Sequence, residues 1–192
     1  GTSLTIDSSN YNGAGWADFD NDGDLDQFVA RFQAQKDLLF RNEGNGNFTR
    51  ILEGAVVNDN ANGQGVAWGD YDNDGDLDLF VANVNRQNNF LYRNDGQGGF
   101  APITSGSLVH DGGNSDNATW VDYDNDGFLD LFVSNSVVGG GIFLYRNNGN
   151  SNNWLTVKLV GAAPPASTNQ LGPSPFSNRD GIGAKVRVLS AP

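Results

Sequence analysis

Apolar and polar positions alternate along the chain in short runs, and nowhere do they sustain the three- and four-residue apolar spacing of an amphipathic helix. Between residues 63 and 103 the runs read GVAWGDY, LDLFVAN, NFLYRN and GGFAPI, each bounded by turn residues. Each is long enough for a strand and too short for a helix. An Asp-rich loop joins the first two. A Gly- and Asn-rich connection of the kind that admits positive φ in a hairpin joins the last two. The pattern predicts a unit of four antiparallel strands.

The unit recurs. Trp16, Trp68 and Trp120 stand 52 residues apart and open the segments GWADFDNDGDLDQFVA, AWGDYDNDGDLDLFVA and TWVDYDNDGFLDLFVS. A second shared block follows each: LLFRNEGNGNF, FLYRNDGQGGF and FLYRNNGNSNNW. Self-similarity at this period, with four short strands per copy, predicts an all-β, β-propeller-like array of four-stranded antiparallel blades; a stacked β-solenoid is the competing architecture. The expected organisation is an N-terminal strand at 1–12, repeats at 13–52, 53–104 and 105–153, and a C-terminal β segment at 154–192. Three blades fall short of the roughly four to eight of a closed ring. The expectation is therefore a composite fourth blade, built from residues 3–6 with the runs near 154–160 and 184–189, or strand pairing with a neighbouring molecule at the open edges.

Charge sharpens the picture. The net charge is −12 with a pI near 4.1, which makes nucleic acid an unsuitable partner. The acidity is concentrated: of 23 acidic residues, five lie in 18–26, five in 70–78 and four in 122–130. With no cysteine there is no disulfide framework and no thiol chemistry. No apolar run approaches the roughly 18 residues of a membrane span.

In DFDNDGDLD, Asp18, Asp20 and Asp22 alternate before Gly23, and Asp26 closes the loop. A chain curling round a hard cation presents every second side chain inward, Gly permits the sharp turn, and Ca²⁺ takes about six to eight oxygens. The carbonyl of the seventh loop residue (Asp24, Asp76 or Phe128) can add a ligand without its side chain, which accommodates Phe128 where the other copies have Asp. Zn²⁺ would want His or Cys, and Mg²⁺ fewer protein oxygens in stricter geometry. Read as ordinary turns, four or five carboxylates within nine residues would repel one another three times over.

These segments resemble the FG-GAP/VCBS repeats, propeller-blade units also found in integrin α-subunit heads, over about residues 13–150. The resemblance implies one calcium ion per repeat. The implied ligands are Asp18, Asp20, Asp22 and Asp26; Asp70, Asp72, Asp74 and Asp78; and Asp122, Asp124, Asp126 and Asp130, with Asp24, Asp76 and Phe128 contributing through the carbonyl. Further on, Asn153, Trp154, Leu155, Val157 and Leu159, then Ser177, Asn178, Arg179, Asp180, Gly181, Ile182 and Gly183, resemble the ASPIC/UnbV motif that often follows such repeats in secreted proteins.

The three tryptophans, in one phase of the repeat, are expected to pack between units. Arg41, Arg93 and Arg146 are expected to pair with the acidic loops. His110 has no recurring nucleophile or second base beside it and reads as a surface loop residue, so the chain is expected not to be an enzyme. The function expected is that of a secreted or cell-surface, calcium-binding structural or adhesive repeat protein that self-assembles through strand edges into filaments. The alternatives are a monomeric recognition module for glycan or protein, and an accessory domain of a secreted enzyme.

Overall fold

The structure, a computed structural model, describes residues 10–136 and 141–152. Among them are eleven strands, no α-helix and two single 3₁₀ turns, Ala55–Val57 and Ser107–Val109. Strands β1 (Tyr11–Ala17), β2 (Asp26–Arg31), β3 (Leu38–Asn42) and β4 (Phe48–Ile51) form one sheet in sequential order. A second sheet of the same order comprises β5 (Gly63–Gly69), β6 (Asp78–Asn83), β7 (Phe90–Asn94) and β8 (Phe100–Pro102). In the third, β9 (Ser115–Val121), β10 (Asp130–Asn135) and β11 (Ile142–Tyr145) make three described strands. Every ladder is antiparallel and stays inside one repeat. A solenoid would instead pair strands of successive repeats, so these sheets are the blades of a propeller-like array. The expected strand at 3–6, the C-terminal segment 154–192 and the composite fourth blade lie outside the described residues.

Successive sheets pack face to face, and the core lies between them. Phe19, Phe28, Ala30 and Leu39 of the first repeat meet Leu79, Val81 and Tyr92 of the second, sealed by Val56 and Val57 from the connecting turn. The next interface gathers Phe80, Ala82 and Leu91 with Ala118, Leu131 and Val133. Side chains alternate across a strand, so β6 supplies Leu79 and Val81 to one interface and Phe80 and Ala82 to the other. All six of its residues are buried, and each large apolar side chain so buried contributes about 1.5–3 kcal/mol.

Trp68 and Trp120 sit in these interfaces. Trp68 stacks on Phe19 at 6.5 Å and 10° and meets Phe28 edge-on; Trp120 stacks on Tyr71 at 6.1 Å and 14° and meets Phe80 edge-on. Trp16 departs from the expected pattern. No described blade precedes it, so it is 50 % exposed and meets Phe48 of its own sheet edge-to-face.

The innermost strands β1, β5 and β9 approach one another closely. A Cβ on Gly13 would lie 2.6 Å from the Gln64 carbonyl oxygen, and one on Gly65 2.6 Å from that of Asp116. The third member of this series is Asn117, on a strand with no further described blade beyond it.

Candidate metal centres

Each Asp-rich loop joins the first two strands of a sheet and is held by the same hydrogen bonds. The first-position carboxylate folds the loop over itself. Asp18 accepts from the Asp22 N–H at 3.0 Å and the Gly23 N–H at 2.9 Å, Asp70 from Asp74 at 3.1 Å and Gly75 at 3.0 Å, and Asp122 from Asp126 and Gly127, both at 3.1 Å. The fifth carboxylate caps the seventh N–H: Asp22 to Asp24 at 2.8 Å, Asp74 to Asp76 and Asp126 to Phe128 at 3.0 Å. Such tight curvature requires left-handed backbone at the sixth residue, where Gly23, Gly75 and Gly127 have φ of 94°, 98° and 90°.

The ninth residue, Asp26, Asp78 or Asp130, is buried at the start of the second strand. One of its oxygens accepts from the N–H of the second loop residue (Phe19, Tyr71 or Tyr123) at 3.0, 3.1 and 3.2 Å. The other accepts from the N–H of Asn42, Asn94 or Asn147, at the end of the third strand or just beyond it, at 2.7, 2.9 and 2.7 Å. The carboxylate thereby ties the loop to the neighbouring hairpin.

This curling brings three carboxylates together in each loop: Asp18, Asp20 and Asp22; Asp70, Asp72 and Asp78; Asp122, Asp124 and Asp130, with one oxygen of each within 4.8 Å of the others. Oδ1 of Asp20 and Oδ1 of Asp72 are buried without a hydrogen-bond partner. Asp74 and Asp126, outside these trios, face the seventh backbone N–H. The seventh side chains are directed elsewhere: Asp76 lies against Gly96 and Phe128 against Gly149.

The electrostatics follow from crowding. Burial, followed by the charge of Asp22, raises the Asp20 pKa, and burial, followed by Asp74 and Asp70, raises that of Asp72. Burial pushes Asp26 up to about 6 and Asp78 up to about 7, against the hydrogen bonds that favour their ionised forms. A cation among the oxygens would reverse these shifts. An all-oxygen donor set with partnerless buried oxygens fits a hard divalent ion.

The arginines divide. Arg146 reaches the third loop, with Nε 2.8 Å from Asp124 and a terminal nitrogen 3.3 Å from Asp126. Arg41 pairs instead with Glu43 of its own hairpin at 2.7 Å. The charge of Arg93 opposes the rise at Asp72.

Sequence reasoning overlooked Asn42, Asn94 and Asn147, although an Asn follows the Arg in every copy. The Asn94 amide donates to the Leu77 carbonyl of its own loop at 3.1 Å and to the Phe19 carbonyl of the preceding loop at 2.6 Å. Asn147 repeats this with Leu129 at 3.2 Å and Tyr71 at 2.7 Å. Asn42, with no described blade before it, holds Leu25 at 3.0 Å. The loops also touch one another directly, through Asn21 to Asp76 at 2.7 Å and Asn73 to the Gly127 carbonyl at 2.9 Å.

A profile of the FG-GAP-like repeat matches residues 18–81 and again residues 70–133, in the phase of these loops. The chain belongs to the FG-GAP-like repeat family. Cartilage acidic protein 1 of Mus musculus is 26 % identical over 167 residues, which cover 81 % of this chain and 26 % of that protein. The chain thus spans about a quarter of its relative's length. No helix among the described residues is long and apolar enough to cross a membrane.

Proposed function

We propose that this FG-GAP-like array binds calcium, one ion in each of its three loops, and serves as a calcium-stiffened structural or adhesive module outside the cell. The observation that carries the reading is the threefold recurrence of three carboxylates within 4.8 Å, with buried oxygens of Asp20 and Asp72 lacking any donor. The residues that would hold each ion are the acids at the first, third, fifth and ninth positions. The seventh residue would add its carbonyl, its side chain in the second and third loops being turned to the hairpin glycine. The ion would supply positive charge to a site otherwise made of mutually repelling groups. The chain's own residues shape the loop and tie it to the sheet.

The family supports an extracellular setting, where calcium is plentiful enough to fill loops with the affinity of roughly 10⁻⁴–10⁻³ M that is typical of extracellular modules. Self-association draws support from the two ends of the described array, which expose Trp16 at one and Tyr123, Ile142, Phe143 and Leu144 at the other. A recognition role has its own support in a recess of about 630 Å³ between the second and third sheets, lined among others by Tyr71, Trp120, Leu131 and Tyr145. Under this reading the chain is not an enzyme, and exposed His110, which shares a 3.0 Å hydrogen bond with the Thr104 carbonyl, serves its own surface loop.

Calorimetric titration with calcium chloride tests the metal reading. Three bound ions are expected, with magnesium chloride far weaker; absence of binding at millimolar calcium would sink it. Light scattering on the same samples, with and without chelator, separates the roles: a calcium-dependent polymer supports assembly, and a 20.5 kDa monomer under both conditions favours recognition.

A further inference from the structure

Away from the three loops, two carboxyl groups meet between the first and second sheets. Asp37, immediately before β3, is 3 % exposed, and its Oδ1 accepts from the Arg31 N–H at 2.7 Å. Asp59 follows the first 3₁₀ turn and accepts from the Tyr92 hydroxyl of β7 at 2.6 Å. Asp59 Oδ1 is buried without a hydrogen-bond partner, and the two carboxyl groups are close enough to act on each other's ionisation. Oxygen facing oxygen has no bond to make unless one of them carries a proton.

The repeat supplies an internal comparison one period further on. The Asn83 N–H donates to Asn89 Oδ1 at 2.8 Å, as Arg31 does to Asp37. The Asn89 amide then donates to Asp111 at 2.7 Å, and Asp111 stands where Asp59 does in the first interface. An amide donates at any pH, whereas a carboxyl in the same place donates only while protonated.

We propose that one proton held between Asp37 and Asp59 closes the contact between the first and second sheets, so that this contact responds to pH while the next, sealed by Asn89, does not. Burial, followed by the charge of Asp59, pushes Asp37 up to about 8. Burial also pushes Asp59 up to about 6, against its hydrogen bond from Tyr92. Among the described residues, four charged or titratable groups surround the pair. Arg31 on β2 favours ionisation of Asp37, Lys36 donates to Asn58 at 2.7 Å, Tyr92 is held neutral by burial and by Asp59, and His110 lines the recess that Asp59 borders. Both shifts are upward, so the stabilisation is complete below the ordinary carboxylate range, near pH 4, and is lost as pH rises through about 6 to about 8.

The test compares the wild-type chain with Asp37→Asn, which installs the chemistry of Asn89, in excess calcium chloride from about pH 5 to pH 8.5. The two proteins share every metal loop, so the difference in Tm isolates the pair whether or not calcium binds. Expected is a gap in favour of the variant that widens by several degrees toward pH 8.5; a gap independent of pH would overturn the proposal. Carboxyl ¹³C NMR of the wild-type chain keeps the test decisive if the variant does not fold. One aspartate titrating above pH 7, with the Arg31 amide shift following it, is expected, and the absence of any such carboxyl in calcium would refute the shared proton.

Discussion

A glycine can be chosen for what the neighbouring chain needs, and Gly65 is such a case. Its missing Cβ leaves room for the Asp116 carbonyl oxygen, to which a methyl group would come within 2.6 Å. Backbone cannot swing aside as a lysine tip can, so Gly65→Ala is expected to destabilise the chain by about 2 kcal/mol through overpacking. Denaturant unfolding measures this, and the same change at Gly106, where a Cβ meets nothing within 4 Å but φ is 105°, separates collision from backbone strain. Asn94 is the polar counterpart. It is buried, its side-chain amide donates to carbonyls of two different metal loops, and its side-chain oxygen accepts from the Gly96 N–H. Asn94→Ala leaves the buried Phe19 carbonyl and the part-buried Leu77 carbonyl without their donor, at about 1–3 kcal/mol for the buried one; an unfolding midpoint within error of wild type would show that water replaces the amide.

At the scale of elements, the loops are alike in hydrogen bonding and unlike in charge. The first two carry five aspartates, the third carries four, and Arg146 sits on two of those. The third loop is therefore expected to be the weakest of the three proposed sites. Phe128→Asp restores the acid of the other copies, and an added, partly exposed charge near a bound ion would be worth on the order of 1 kcal/mol. Titration calorimetry should show the weakest of the three steps tightening a few-fold, with the other two unchanged. The strands show a different inequality. The run LDLFVAN becomes a strand buried on both faces in the second sheet, while its near copy in the third keeps Phe132, Ser134 and Asn135 partly open. Position in the array, not composition, makes that difference.

Over the whole molecule, stability is spread across two interfaces and three loops. A ligand that binds only the folded state adds RT ln(1 + [L]/Kd), so a site at ten times its Kd contributes about 1.4 kcal/mol and three independent sites about 4 kcal/mol. Against a total of roughly 5–15 kcal/mol this is a large share. Chelation is expected to lower Tm by about 10 °C, taking 2–4 °C per kcal/mol for a chain of this size; a Tm indifferent to chelator would remove calcium from the account of stability. The repeat period, the four-strand pattern and the Asp spacing of each loop were all legible in the sequence, because each is set by neighbours close along the chain. Meetings between repeats were not legible. Asn94 with the Phe19 carbonyl, Asp37 with Asp59 and the close approach at Gly65 join residues that are distant along the chain, and whether they touch depends on how one sheet stacks on the next. The same stacking leaves Trp16 exposed while Trp68 and Trp120 are partly buried against the neighbouring blade, though the three occupy one phase of one repeat. Local periodicity specified the blades, and only the packing of one blade on another decided which of their equivalent residues found partners.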